Sequence, residues 1–368
     1  MGQIPKELHA WQMVAPWGKD KETGKVIEGK FKKTTLPVPD IKQGEVLVEI
    51  AGCGVCHTDL GYFYEGVPTV SKPPLTLGHE ISGTVVGGDE RWIGKEVIIP
   101  GAMPCRQCLL CKIGRGNRCL SQKMPGASLD IYGGYASHIP VPSIDLCEVN
   151  HRGGIPLSHL AVIADAATTP YQACKKADLG PGDKAIVIGV GGVGQYVVQE
   201  AKALGAGTVV AIDIEVERLK KMLSYGADLT INAEGKSAKE IANEFRALQK
   251  KTNLPNYGWK IFEASGTKSG QEIGLSLLSF VGKLMIIGYG VQKVEYSLSR
   301  LMAFDAEIVG VWGCLPEYYP IVLNMALNKK IHLEPFVETR PMSTIAETFD
   351  EIHKSASPMR RIVLTPDF

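Results

Sequence analysis

The N-terminal stretch MGQIPKELHAWQMVAPWGKDKETGK has no apolar run behind a basic start, so no secretory signal is predicted. No apolar stretch elsewhere reaches the roughly 20 residues that cross a bilayer. Charge excess is lacking as well. Forty Lys and Arg against 39 Asp and Glu leave a formal net charge of +1, which offers no field for nucleic acid or anionic lipid. Internal repeats and low-complexity tracts are absent. The sequence therefore predicts a cytoplasmic protein that acts on a small-molecule substrate, with no nucleic-acid and no membrane partner. In a reducing compartment clustered cysteines hold metal or act in catalysis more often than they form disulfides. Nine cysteines, an odd number, further disfavour a fully paired framework.

The length of 368 residues suits two domains. Residues 7–150 are rich in short β-like runs divided by Gly and Pro: EVLVEIAG, ISGTVVG, EVIIPG, YASHIPVP. From about residue 156 strand-like and helix-like segments alternate. KAIVIGVGG reads as a buried strand and VGQYVVQEAKALGA as an apolar-striped helix ending at glycine. TVVAIDI, WKIFEAS, KLMIIGYG and AEIVGVW continue the strands. This alternation predicts an α/β domain with a doubly wound parallel sheet. The last fifty or so residues return to the mixed style of the first part.

Three motifs carry chemistry. GVGGVG (189–194) lies between a strand and a helix, the context of a dinucleotide-binding turn. Gly189 allows the turn, Gly191 and Gly192 let backbone approach a pyrophosphate, and Gly194 lets helix and strand pack closely. Val193 opens a helix whose N-terminus offers N–H groups to phosphate. Asp213 ends the next strand about 20 residues on, where a ribose-binding acid belongs, which predicts NAD rather than NADP. CRQCLLCKIGRGNRC supplies Cys105, Cys108, Cys111 and Cys119 within fifteen residues, suiting a closed tetrahedral zinc site of structural type. Pairwise disulfides are the alternative, and a reduced compartment opposes them. CGVCH (53–57) reads as a c-type haem attachment, half of a zinc site or a redox pair. The missing export signal weighs against haem.

Through GEVLVEIAGCGVCHTD, LGHEISGTV, the four-cysteine stretch and GVGGVG, the chain from about residue 34 onward resembles the zinc-dependent medium-chain alcohol dehydrogenase family. The resemblance implies a GroES-like β-rich catalytic domain plus a Rossmann domain. It places the catalytic domain at 1–164 with a zinc lobe at 101–122, the NAD-binding domain at 165–311, and a C-terminal return to the catalytic domain at 312–368. It implies two zinc ions per chain. Cys56, His79 and Asp165 become ligands of a catalytic zinc, with Glu80 an acid beside the metal that can shift onto it. Asp165 stands where many members carry Cys. The CGVCH match is then accidental, and Cys53 is a small buried residue. Thr58 matches the hydroxyl that carries the alcohol proton away, and His57 a position close to the cofactor phosphates. Arg218 matches a cation near the adenosine, and Arg360 an arginine on the pyrophosphate, with Arg361 beside it as a neighbour one residue off. Many members end the proton path at a histidine where this chain has Gly61. That glycine leaves either a water route to solvent or room for a bulky substrate.

The resemblance also implies a homodimer or homotetramer built through the cofactor-domain sheet. As to substrate, the whole-chain likeness implies an acyl-CoA bearing a ring hydroxyl, oxidised to a conjugated ketone. PGAMPC lacks the bulky aromatic that small-alcohol enzymes place there, and Tyr289 and Trp312 could line a ring-shaped site. Arg115, Arg118, Arg300, Lys329 and Lys330 are the basic residues available for the CoA phosphates. A dehydrogenase of benzyl-type or other secondary alcohols is the rival, and a dinucleotide-binding protein without turnover is a rival of another class.

Overall fold

A computed structural model describes residues 4–19, 22–354 and 358–368. Two units emerge. The first comprises Met1–Thr168, Gly313–Leu327 and Leu333–Phe368, and the second Thr169–Trp312 and Asn328–His332. Residues 328–332 thus lie with the second unit, where the His332 N–H donates to Gln199 Oε1 at 2.7 Å.

The first unit is built on a seven-stranded sheet. Its central strand, Glu45–Gly54, is buried along most of its length, as its Val, Leu and Ile content requires. That strand pairs antiparallel with Glu80–Gly88, Gly54 opposite Glu80. It also pairs antiparallel with Arg361–Thr365, Gly54 opposite Val363. Glu80–Gly88 in turn pairs with Glu96–Ile99, Ile81 opposite Ile99. These registers decide the site. They bring the chain just past Gly54, just before Ile81, just past Ile99 and at the start of the final strand to one place.

The second unit is a six-stranded, all-parallel sheet. Its spatial order is Leu229–Asn232, Thr208–Asp213, Lys184–Ile188, Trp259–Glu263, Lys283–Ile286, Glu307–Gly310. This is the doubly wound Rossmann order, with the reversal between Lys184–Ile188 and Trp259–Glu263. Lys184–Ile188 and Thr208–Asp213 are nearly continuous apolar runs because helices cover both faces of such a sheet.

Candidate active site and metal centres

Cys56 is the N-cap of a short helix, His57–Tyr64. Asp59, at the third helical position, accepts from the Cys56 N–H through Oδ2 at 3.1 Å and so closes a capping box. The turn that presents the Cys56 thiol is therefore held by the residue three places on. His79 arrives from the segment preceding the Glu80–Gly88 strand, and Asp165 from the end of the 3-10 turn Leu157–Ala164. Ligand atoms of Cys56, His79, Glu80 and Asp165 all lie within 4.8 Å of one another. Asp165 Oδ2 is 3.9 Å from Cys56 Sγ and 3.7 Å from His79 Nε2. Thr58 Oγ1 stands 3.6 Å from the same sulfur.

Behind these groups lies Asp59, fully buried. Its Oδ1 accepts from the Gly78 N–H at 3.1 Å and its Oδ2 from the Tyr135 hydroxyl at 3.0 Å. His79 Nδ1 is 3.4 Å from Asp59 Oδ1, an electrostatic contact outside good hydrogen-bond geometry. Burial works against a charged imidazole at His79. The Asp59 carboxylate, with Asp165 and Cys56, outweighs it and holds the imidazole well above the usual histidine range. An imidazole, a thiol and two carboxylates gathered this closely concentrate negative charge that a cation would balance. A divalent ion would do so with the ring neutral, and thiolate, imidazole and carboxylate are the donors zinc takes. The residues present fit the metal.

Glu80, one of whose carboxylate oxygens belongs to this 4.8 Å group, is also held by an arginine. Arg361 donates to both its oxygens, through Nε to Oε2 at 3.0 Å and through Nη2 to Oε1. Burial pushes the Glu80 carboxyl up and Arg361 opposes the shift. Gly54 makes room for this pair, since a Cβ there would stand 2.0 Å from Glu80 Oε2. Arg360, expected on the pyrophosphate, lies exposed, and its neighbour Arg361 is the buried one. Arg360 lies just before the Arg361–Thr365 strand, whose first four residues are buried. Arg361's partner is a carboxylate of the same unit. A Cβ at Gly61 would make only ordinary contacts, 3.4 Å from Val67 Cγ2 and 3.8 Å from Glu65 Oε2. His57 sits exposed at the helix start. Cys53 is fully buried.

The second cluster joins Cys105, Cys108, Cys111 and Cys119. Sulfur separations are 4.0 Å for Cys105–Cys111, 3.5 Å for Cys108–Cys111 and 3.8 Å for Cys108–Cys119. Tetrahedral Zn–S bonds of about 2.3 Å require S···S distances of about 3.8 Å, so the quartet has the size of a zinc site. The backbone N–H groups of Leu120 and Cys111 draw the Cys108 thiol down to about 6. The lobe has little core, with Leu109, Ile113 and Leu120 exposed. Arg106, between the first two cysteines, ties it down by donating Nε to Asp145 Oδ1 at 3.0 Å and pairing with Glu317.

In the second unit Gly189 adopts φ +79°, a conformation few other residues accept, and directly follows the Lys184–Ile188 strand. A Cβ on Gly194 would meet Gly189 O at 1.8 Å, so turn and helix could not close on any larger residue. Val193 caps the Gly194–Ala203 helix with no side-chain acceptor. Gly191 and Gly192 lie in the turn between. Asp213 accepts from the Val190 N–H at 2.7 Å and the Glu215 N–H at 2.9 Å, and Arg218 Nη1 lies 3.6 Å from it. The acid is thereby locked to the glycine turn.

Asp59, Tyr135 and Arg361 had no assigned role in the sequence. The acid three residues after Cys56 was the available signal for the first; Tyr135 and Arg361 declare themselves only through pairing of distant strands.

Residues 42–151 match the family described as alcohol dehydrogenase GroES-like domain, and residues 192–328 that described as zinc-binding dehydrogenase. An alcohol dehydrogenase of Geobacillus stearothermophilus is 37% identical over 89% of this chain and 95% of its own. A sorbitol dehydrogenase of Mus musculus is 28% identical over 89% and 90%. Among solved structures, acetophenone reductase from Geotrichum candidum in complex with NAD superposes with a TM-score of 0.81, at 25% identity, covering 99% of this chain and 98% of that one. With this fold, these two donor clusters and relatives along nearly its whole length, the chain belongs to the zinc-dependent medium-chain alcohol dehydrogenase family.

Proposed function

We propose that the protein oxidises a secondary alcohol to a ketone, with Cys56, His79 and Asp165 holding a catalytic zinc, the four cysteines a structural zinc, and the 189–194 turn with Asp213 an NAD. The observation that carries this reading is the approach of thiol, imidazole and carboxylate from three distant segments within 4.8 Å. A zinc held there would supply Lewis acidity that makes an alcohol hydroxyl more acidic, and a bound NAD would be the acceptor for the hydride of the carbinol carbon. Asp59 places a carboxylate against His79, Thr58 Oγ1 would accept the hydroxyl proton while its own proton passes on toward solvent, and Arg361 holds the Glu80 carboxylate. Negative charge at Asp213 supports NAD over NADP, as does the NAD named with acetophenone reductase. Arg218 steadies that carboxylate.

The substrate we propose is a cyclic secondary alcohol carried as a CoA thioester, of the type 6-hydroxycyclohex-1-ene-1-carbonyl-CoA, giving the 6-oxo product. The small residues Gly101 and Ala102, where a bulky aromatic would narrow the approach, support a ring-sized substrate. Tyr289, 58% exposed, and Trp312, 40% exposed, lie just past two adjacent sheet strands and offer flat surfaces for a ring. A second reading, oxidation of a polyol, is favoured by relatives named sorbitol dehydrogenase. NADH formation with the ring alcohol as thioester, with its free acid and with sorbitol separates them. The thioester should react fastest. Equal rates for thioester and free acid overturn the CoA assignment, and fastest turnover of sorbitol establishes the second reading.

We further propose a homodimer or homotetramer formed through the outer strand Glu307–Gly310, most of whose residues are exposed. Light scattering that returned a monomer would refute it. Among the described residues no helix is long and apolar enough to cross a membrane.

A further inference from the structure

Asp165 follows the last residue of a 3-10 turn, and the carbonyl groups at such an end need partners from outside it. Ala164 O finds one 155 residues away: the Tyr319 hydroxyl donates to it at 2.7 Å. The Tyr319 hydroxyl oxygen in turn accepts from the Gly101 N–H at 3.1 Å. Gly101 lies just past the Glu96–Ile99 strand, and a Cβ built on it would stand 3.4 Å from Ala164 O, 3.7 Å from His79 O and 3.9 Å from His79 Cδ2. Tyr319 opens the Tyr319–Leu327 helix and is 1% exposed. A phenol placed in a core without need of its hydroxyl would leave a buried polar group to satisfy. Here the hydroxyl both donates and accepts, joining Ala164 O to the Gly101 N–H.

We propose that Tyr319 is the positioning residue for Asp165, its one hydroxyl joining the carbonyl ahead of that carboxylate to the strand end beside His79. The inference rests on the reading that Cys56, His79 and Asp165 hold zinc. A carboxylate depends on such a strut more than a thiol does. It reaches the metal through one more rotatable bond and can turn either oxygen toward it, so its backbone must be set first. Glu317, two residues earlier, pairs with Arg106 and secures the same segment against the four-cysteine lobe.

Tyr319→Phe keeps the ring and removes the hydroxyl. The wild-type protein should hold two zinc ions by mass spectrometry. The variant should keep the four-cysteine zinc, melt as one folded species, and surrender the other zinc to a chelator about 10–100-fold faster, the usual scale for support of a metal ligand. Cobalt(II) placed in that site should show a shifted d–d spectrum. Wild-type release with an unchanged cobalt spectrum would reduce Tyr319 to packing and leave the zinc reading intact. A wild-type chain holding only the four-cysteine zinc overturns both. Should Tyr319→Phe not fold, hydrogen exchange on the wild-type protein decides. Removing the catalytic-site zinc should speed exchange at the Gly101 amide about tenfold or more, and no change there would overturn the proposal.

Discussion

Glu80 and Arg361, 281 residues apart in the chain, form a buried ion pair in which Arg361 Nε donates to Glu80 Oε2 at 3.0 Å. The pair anchors the last strand to the segment that carries His79, and it fixes which way the acid next to that histidine points.

Arg361→Leu should destabilise the protein by about 3–5 kcal/mol, because it leaves the Glu80 carboxyl buried without its partner. Urea unfolding reads the loss. Adding Glu80→Leu to the variant should return much of it, since two apolar side chains then face each other. A single variant with the wild-type midpoint would show that the pair contributes nothing.

Asp59→Asn retains the volume and an acceptor but removes the charge opposite His79. Affinity at the catalytic zinc, or turnover, should fall about 10–100-fold. The four-cysteine zinc should stay bound, so zinc titration resolves the two sites. An Asp59 variant with unaltered affinity and rate would mean that His79 needs no carboxylate behind it.

Asp213→Asn removes a charge and keeps an acceptor for the Val190 N–H. Discrimination against NADP should weaken by on the order of tenfold or more, since like charges about 4 Å apart near a surface cost roughly 1–4 kcal/mol. Ratios of kcat/KM for the two cofactors measure it. Equal use of both by the wild-type protein would refute the role given to this residue.

Glu200 is fully buried in the Gly194–Ala203 helix, and neither side-chain oxygen has a hydrogen-bond partner. Burial pushes its carboxyl well above the usual range. The folded protein therefore keeps a proton that the unfolded chain releases near the ordinary carboxyl value of about 4.3. Stability from this group is complete below that pH and declines as pH rises, by roughly 1.4 kcal/mol per unit, until the raised folded value is passed. Glu200→Gln should flatten that decline while changing stability little at pH 4. Identical slopes for variant and wild type would place Glu200 in contact with solvent or with a cation.

Chemistry written into contiguous segments was legible without a structure. Four cysteines in fifteen residues can reach one ion because the loops between them are short. A glycine turn between an apolar strand and a striped helix, with an acid at the next strand's end, reads directly because each element's periodicity is local. The alternating segments after residue 156 likewise declared the parallel sheet that the structure contains. Long-range pairing settled the rest. Cys56 and Asp165 are 109 residues apart and meet only through the way the 3-10 turn Leu157–Ala164 packs on the central strands of its sheet. Asp165 came from resemblance, since a lone acid among alanines carries no signal of its own. Arg360 and Arg361 were indistinguishable in the sequence; the fold leaves the first exposed before the last strand and sets the second, which opens that strand, onto Glu80. Tyr319 gives no signal in the sequence because a hydroxyl's partners, here backbone groups at residues 101 and 164, leave no trace in composition or spacing. Local periodicity determines which elements form. Only sheet register and helix packing decide which of their ends share a site, because those contacts join residues that the chain itself keeps hundreds of positions apart.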